Sequence, residues 1–576
     1  MRQPDLVLLH PPSVYDFRER AILYGPISDL IPSSPVFEMY PLGFLTIVNY
    51  LEQRGLRVRV VNLALRMMND RRFDVPNFLD SLRPAAYGID LHWLPHAQGS
   101  LEIARLAKQV HPEIPVIFRG LSATYYHEQL IEYPAVDYVL RGDTVEAQLY
   151  ELMRVVLSGA SPERVPNLTW KANGQVRVNP KSPAAAELDV AELTPDRMVR
   201  MVLRYRDLQS VLPFNGWWQN PITAVFSVKG CSLDCVTCGG SQTACGLVNS
   251  RKGPIYRSPE SLVASMQSIS RLSRGPLFLV GDLRQAGQDY PGRVFELLRR
   301  SDLRNEIVFE LFDMPPPDYL GAIDGSVRNW SLELSPESHD PEIRRAQGKG
   351  TSFTNAQMEA VIAEALRLRC HRVDIFFMIG LPGQTRESVL DTIRYCGQLF
   401  AKFDSRLSCF ISPLGPFLDP GSRSFEEPEL HGYRLFAKTL EEHRRLLVRP
   451  SWEHTLNYET RWMTRRQLVD VTYDAAEELN ALKLEYGRIK RSTAREVAQR
   501  IARARAIKQR LELAEPLDVE LAADLLGEIH EYSVSTVCDK RELFWRRHIV
   551  NFRLFRILWI AADYALGRLM RLSDAR

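Results

Sequence analysis

At 576 residues the chain exceeds what one core organises, and roughly 100–200 residues per domain predicts about three or four units. Its 45% hydrophobic and 25% charged residues are those of a soluble globular protein, and a net charge of only +3, with no basic tract, argues against a nucleic-acid partner. The opening MRQPDLVLLHPP is too short an apolar run for a signal peptide, and no uncharged apolar stretch reaches the ~18 residues of a membrane span, so a cytoplasmic protein is expected.

The first segment alternates strands and helices. DLVLLHPP (5–12), LRVRVVNL (56–63), AAYGIDLHW (85–93), PVIFRG (115–120) and VDYVLRG (136–142) read as strands. GFLTIVNYLEQR (43–54), SLEIARLAKQVH (100–111), YYHEQLIEYP (125–134) and EAQLYELMRVVLSG (146–159) read as helices. This alternation predicts a doubly wound parallel, Rossmann-like sheet over residues 1–160, with any ligand outside the carboxyl ends of its strands. Residues 161–220 read as a linker, with a hairpin over 167–180 turning at Asn173-Gly174. From ITAVFSVKG (222–230) a second series begins, with strands at 276–282, 305–312, 329–335, 372–380 and 406–413 separated by helices. Six βα units over 221–430 predict a partial (β/α)6 barrel whose functional groups sit at the carboxyl ends of its strands. Beyond about 430 strands are expected to disappear, leaving a helical C-terminal region over 431–576.

Cysteine placement is the sharpest signal. None of the eight precedes Cys231, and four crowd into 231–245. A disulfide framework would spread pairs along a small secreted chain. Gly230-Cys231-Ser-Leu-Asp-Cys235-Val-Thr-Cys238 follows the first barrel strand directly. A C-x3-C-x2-C loop brings three thiolates onto one metal cluster and leaves a coordination position open to substrate. The alternative is a zinc site completed by Cys245 or a histidine, although no second C-x2-C knuckle is present.

The motif and the barrel that follows resemble the radical S-adenosylmethionine (SAM) superfamily over about residues 220–415. Val280-Gly281-Asp282 is similar to its glycine-rich turn at the methionine moiety, Glu333 to Ser338 (ELSPES) to its ribose signature, and Phe377 to Gly383 (FMIGLPG) to its turn beside adenine. The resemblance implies a [4Fe–4S] cluster on Cys231, Cys235 and Cys238. It implies SAM contacts at Gly281, Asp282, Glu333, Ser335, Ile379 and Gly380. It implies reductive cleavage of SAM to a 5′-deoxyadenosyl radical, with no catalytic side chains beyond the cluster ligands. Relatives carry an aromatic residue before the third cysteine, where this chain has Thr237.

Residues 1–160 resemble the cobalamin-binding domain that precedes the barrel in one subgroup of that superfamily. LVLLHPPS, MYPLGFLTIVNYLEQRGLRVRVVNL (39–63), PVIFRGLSAT (115–124) and VDYVLRGD (136–143) carry the likeness. It implies cobalamin contacts at Asp90, Gly120, Leu121, Ser122 and Gly142, with Arg66 approaching the lower face of cobalt. Asp90-Leu91-His92 begins a D-x-H-x-x-G loop but has Pro95 in place of its glycine, so no histidine is expected on cobalt. A doubly wound domain with another ligand, or none, is the alternative.

The resemblance implies methylation of an unactivated carbon, radical-driven ring formation or rearrangement being the alternative within the group. A non-catalytic iron–sulfur or zinc protein is the alternative outside it. A flavodoxin or ferredoxin is the implied electron donor. Residues 541–572 mix Arg541, Arg546, Arg547, Arg553 and Arg556 with Phe544, Trp545, Phe552, Phe555 and Trp559. Such a helix predicts peripheral membrane contact and a small-molecule, lipid-like substrate, or else it packs on the barrel with a solvated basic face.

Overall fold

The structure is a computed structural model and describes residues 3–23, 25, 36–183, 188–189, 194–349, 353–513, 525, 527–529, 538–543 and 551–573. Two sheets organise it. The first holds β1 (Leu6–His10), β2 (Val58–Asn62), β3 (Ala86–Asp90), β4 (Val116–Arg119), β5 (Tyr138–Leu140), β6 (Leu168–Ala172) and β7 (Gln175–Val178), in the order 2-1-3-4-5-6-7. The first five are parallel. β1 and β3 are buried at every position, which is why they read as unbroken apolar runs rather than alternating ones. The hairpin β6–β7 sits within the expected linker and continues this sheet antiparallel to β5. A basic amphipathic helix, Pro195–Tyr205, follows it.

β8 (Thr223–Phe226) and β9 (Val228–Lys229) lead into the cysteine loop, and β9 pairs with the short β10 (Ile255–Tyr256). The second sheet joins β8 to β11 (Leu277–Val280), β12 (Ile307–Leu311), β13 (Trp330–Glu337), β14 (Cys370–Ile379) and β15 (Leu407–Pro413), all parallel and in chain order. This is an open six-stranded barrel, as the sequence predicts. Ile307, Phe309, Leu332, Leu334, Val373 and Ile375 pack outward into one apolar core with the helices. The alternate positions face the lumen.

The expectation that strands end near 430 is corrected. β16 (Tyr433–Leu435) and β17 (Tyr458–Thr460) form an antiparallel pair. Three residues each are too few for period-two patterning to show, and the pair is held from outside by the Tyr433 hydroxyl donating to the Gly380 carbonyl at 2.8 Å. Downstream, Arg465–Glu485 and Arg491–Leu513 are helical. The segment Cys538–Leu543 enters the amino-terminal half of the barrel. Cys538 and Leu543 pack on Phe410 and Phe376, and the Lys483 ammonium pairs with Glu542 at 2.7 Å.

The C-terminal helix Leu554–Ser573 docks on the helix Pro195–Tyr205 through Arg200–Asp563 at 2.6 Å and Arg556–Asp196. Its other side carries Leu554, Phe555, Leu558 and Trp559, with Phe555 90% exposed. Of the expected aromatic face, Phe544 and Trp545, with Arg546 and Arg547, lie outside the described residues. No helix among the described residues is long and apolar enough to cross a membrane.

Candidate active site between the two sheets

The cysteine loop leaves β9 at Gly230 and closes before the helix Gln242–Asn249. Cys231 is half-buried, Cys235 buried and Cys238 open to the mouth of the barrel. The Cys231 sulfur accepts from the Leu233 N–H at 3.4 Å and from Gln285 Nε2 at 3.3 Å, and the Cys238 sulfur accepts from the Gly240 N–H at 3.3 Å. Donors aimed at thiol sulfurs stabilise thiolates and tune a cluster held on them. Burial, then Glu337, pushes the Cys235 thiol up to about 12, with Cys231 adding its own charge. A buried thiol held neutral in this way gives up its proton most readily to a cationic metal group, which supplies the missing positive charge.

Among the described residues, no three His, Cys, Asp or Glu side chains gather closely enough for a single metal ion. A four-iron cluster takes each thiolate on a separate corner and tolerates that wider spacing. Cys245 packs behind the loop, its thiol donating to the Gly240 carbonyl at 3.5 Å. It is buried, with Arg251 Nη2 3.7 Å from its sulfur.

The loop is fastened from behind. Val236 N–H donates to the Gln347 carbonyl at 2.8 Å, and Gln347 Nε2 donates to Thr237 Oγ1 at 2.6 Å. Thr237, where relatives have an aromatic residue, is thereby buried and pinned. Lys349, two residues on, pairs with Glu337 at 2.7 Å, and Glu337, Cys235 and Glu310 together raise its pKa against the opposing effect of burial. A buried ammonium beside Cys235 is a counter-charge for an anionic cluster. Sequence reasoning missed Lys349 and Glu310, since neither lies in a recognisable motif.

The expected SAM residues fall just past β11 (Gly281, Asp282), in the middle of β13 (Glu333, Ser335) and at the end of β14 (Ile379, Gly380). Gly281 N–H donates to Glu310 Oε2 at 2.8 Å, and burial pushes the Glu310 carboxyl up to about 7. Glu333 lies in the lumen near Glu310 and Asp374, and burial, then Asp374, raises it well above the usual range. Ser335 offers its carbonyl to Lys349. Asp282 is turned away, paired with Arg284 at 2.5 Å and accepting from the Phe312 N–H at 3.2 Å. Ile379 points into the core, leaving only its backbone toward the lumen. At Gly380 φ is +97°, and a Cβ would lie 2.9 Å from the Tyr458 hydroxyl, so β17 closes on a residue that has to be glycine. Nearby, Trp452 packs inward on Tyr473 and Trp462 is partly exposed against Gly432.

At the carboxyl edge of the first sheet, buried polar atoms lack partners. They are His10 Nδ1, Ser13 Oγ, His96 Nδ1 and Arg119 Nε, while Asp90 Oδ1 and Arg119 Nη2 make no hydrogen bond but face each other at 3.6 Å. Each such group costs about 1–3 kcal/mol unless a ligand satisfies it. Burial raises Asp90 to about 6 and lowers His92 to about 3 and His96 to about 4. A large ligand rimmed with amides, such as cobalamin, fits the neutral imidazoles and hydroxyl here together with the Asp90–Arg119 pair. Gly120, at φ +118°, lies so close to the Leu91-His92 backbone that a Cβ would sit 2.6 Å from His92 N. Ser122 donates to the His92 carbonyl at 3.1 Å, Leu121 opens the helix Leu121–Tyr125, and Gly142 N–H donates to Thr124 Oγ1 at 2.9 Å. Arg66 is placed differently from the expectation. It pairs with Asp207 at 2.7 Å and lies over the Phe73 and Phe78 rings, one turn into the helix after β2.

The two edges meet. Asp143, following Gly142, pairs with Arg251 at 2.7 Å, and its carbonyl accepts from Lys229 Nζ at 2.6 Å. Lys229 is two residues before Cys231, so the candidate cobalamin edge and the cysteine loop share one set of contacts.

Residues 30–149 match the B12 binding domain model and residues 225–396 the Radical SAM superfamily model. An uncharacterized methyltransferase of Pyrococcus horikoshii is 25% identical over 318 residues, 52% of this chain and 61% of that protein. The hopanoid C-3 methylase of Methylococcus capsulatus is 22% identical over 287 residues, 49% of this chain and 50% of its own length. The chain thus spans about half to three-fifths of the curated relatives it matches. Among solved structures, the radical SAM methyltransferase TsrM of Kitasatospora setae, with cobalamin and a [4Fe–4S] cluster bound, aligns with a TM-score of 0.57 at 15% identity over 85% of this chain and 90% of that one. The cobalamin-dependent radical SAM enzyme OxsB, with aqua-cobalamin and SAM bound, aligns with a TM-score of 0.52 at 13% identity over 100% of this chain and 80% of that one.

Proposed function

We propose that this chain, which joins a B12-binding domain to a radical SAM domain in the fold of the cobalamin-dependent radical SAM enzymes, methylates an unactivated carbon of a small molecule. The observation that carries the reading is the Asp143 contact pair, which brings the strand ends of both domains to one place. Bound there, the cluster and cobalamin supply one-electron cleavage of SAM and delivery of a methyl group. Per turnover, one acceptor C–H bond becomes C–CH3 and two SAM are consumed. One SAM leaves as S-adenosylhomocysteine, the other as methionine and 5′-deoxyadenosine, which carries away the acceptor hydrogen. Two electrons come from a flavodoxin or ferredoxin.

The chain's own residues hold and shield. Cys231, Cys235 and Cys238 hold the cluster, with Lys349 as counter-charge. Gly281, Glu333, Ser335 and the backbone of Ile379–Gly380 orient SAM, with Glu310 fixing the Gly281 turn. Asp282 supports that turn through Arg284. Asp90, Gly120, Leu121, Ser122 and Gly142 seat cobalamin, while Arg66 braces the domain through Asp207. The domains run 1–160 with the β6–β7 hairpin added to that sheet, the remaining linker to 220, 221–430 and 431–576. The test is anaerobic incubation of reconstituted protein with SAM, a reductant and cobalamin, followed by mass spectrometry. 5′-Deoxyadenosine and S-adenosylhomocysteine forming together, with S-adenosylhomocysteine lost without cobalamin, is the expected result. 5′-Deoxyadenosine alone, unaffected by cobalamin, would point to another radical reaction.

The exposed strip Leu554, Phe555, Leu558 and Trp559 favours peripheral membrane contact and a lipid-like acceptor. Co-sedimentation with phosphatidylglycerol vesicles at low salt, weakened by salt, is expected. Protein that stays in the supernatant refutes that contact.

A further inference from the structure

A cavity of about 340 Å3 lies beside β8, where the barrel is open. The volume falls within the ~300–1,000 Å3 of small-molecule sites. Its barrel wall is Ala224, Phe278 and Val280, on the lumen side of β8 and β11. Its opposite wall is Met198, Val199 and Val202 from the helix Pro195–Tyr205. All six are apolar, yet none is fully buried, because they face one another across space rather than packing together. Leu208 and Trp218, 44% and 47% exposed, stand where the cavity meets the surface.

The lumen is therefore divided by chemistry. On β12 to β14 it carries Glu310, Glu333 and Asp374, while on β8 and β11 it carries hydrocarbon. No Asp, Glu or His lines the cavity among the described residues. Its two cations are engaged elsewhere, Arg197 with Asn49 at 2.6 Å and Lys540 with the Asn215 carbonyl at 2.8 Å. The cavity also touches both cofactor edges. Val280 immediately precedes Gly281, and Leu42 precedes Gly43, whose Cβ would lie 3.4 Å from Arg119.

We propose that this cavity is the acceptor site and that the acceptor is an uncharged, largely hydrocarbon molecule. The acceptor role rests on the methyltransferase reading, whereas the binding preference does not. The lining is mostly hydrocarbon, offers no anion to an ammonium, and holds its two cations on other partners, Arg197 also facing Glu52 at 3.6 Å, so a charged acceptor would lose its hydration with little replacement.

The experiment is equilibrium dialysis of tritiated farnesol, delivered from cyclodextrin, against the anaerobic holoenzyme, with tritiated tryptophan in parallel. Farnesol is expected to bind one per chain and tryptophan not to bind. Ala224→Phe, which fills the cavity, and Val199→Asp, which puts a charge in its wall, should each weaken farnesol binding at least tenfold. Val199→Ile should retain it. Iron content, cobalamin content and SAM affinity should be unchanged in all three. Farnesol binding unaltered in both disruptive variants, or tryptophan bound in preference, overturns the assignment. Farnesol bound as expected, but with no SAM-dependent methylation in any lipid extract, overturns the acceptor role together with the methyltransferase reading and leaves the hydrocarbon preference standing.

Discussion

Removing the Asp143 carboxylate tests whether the two domains are coupled at the cluster. Arg251 is 6% exposed and Asp143 17% exposed at the side chain, so Asp143→Ala strands a buried guanidinium. Breaking one side of a buried pair costs about 3–5 kcal/mol, and the partial exposure of Asp143 brings this to about 2–3 kcal/mol. Arg251 has little room to move. A Cβ on Gly230 would already lie 2.9 Å from its Nη2 and 3.0 Å from the Cys245 sulfur. The strain therefore passes to Gly230, next to Cys231. Urea unfolding of Asp143→Ala, Arg251→Ala and the double variant should give a coupling energy of about 2 kcal/mol. The ratio of 5′-deoxyadenosine formed to methyl transferred should rise in Asp143→Ala, because cleavage continues while delivery across the interface fails. Single-variant effects that add to within about 0.5 kcal/mol, with the ratio unchanged, would refute the coupling.

Replacing Cys231, Cys235 and Cys238 together by Ala should abolish the roughly four irons and four sulfides of the reconstituted protein. Cys245→Ala should keep them, and loss of iron in that variant alone would show the ligands to be misassigned. His92→Ala should leave the absorption spectrum of bound cobalamin unchanged, a shift being evidence that His92 reaches cobalt. Glu310 ionises near 7 when folded and near 4.5 when unfolded, so the folded state binds the extra proton between these values. Its contribution to stability is thus lost as pH rises from about 4.5 to 7. Glu310→Gln, which still accepts from Gly281, should match wild type at pH 4.5 and exceed it by about 2–3 kcal/mol at pH 8. Parallel stability curves across that range would count against a buried, proton-binding Glu310.

Much of the fold was legible because β1 to β5 and all six barrel strands are parallel. Most are largely buried and bounded by helices, so each strand and helix announces itself locally. The C-x3-C-x2-C loop was legible for the same reason, its chemistry lying within eight consecutive residues. What the sequence hid depends on pairings between distant segments. Asp143 meets Arg251, Lys349 reaches Cys235, and Glu310 takes the Gly281 N–H, and no spacing rule links such positions. Arg66 shows the converse. A charge just past β2 suggested a cofactor contact, but Asp207 from the linker claims it. β16 and β17 escaped because short strands owe their conformation to Gly380 beneath them rather than to their own pattern.

The segment Cys538–Leu543 has a consequence for biosynthesis. It packs on Phe376 and Phe410, on strands that end at Ile379 and Pro413. A ribosome adding about 5–20 residues per second reaches Cys538 roughly ten seconds after Pro413. Throughout that interval every barrel strand exists while the lower opening is still unsealed. Nascent chains would therefore expose Phe376 and Phe410 to water and to chaperones, and translation slowed between these points would lengthen the period in which the half-built barrel can aggregate.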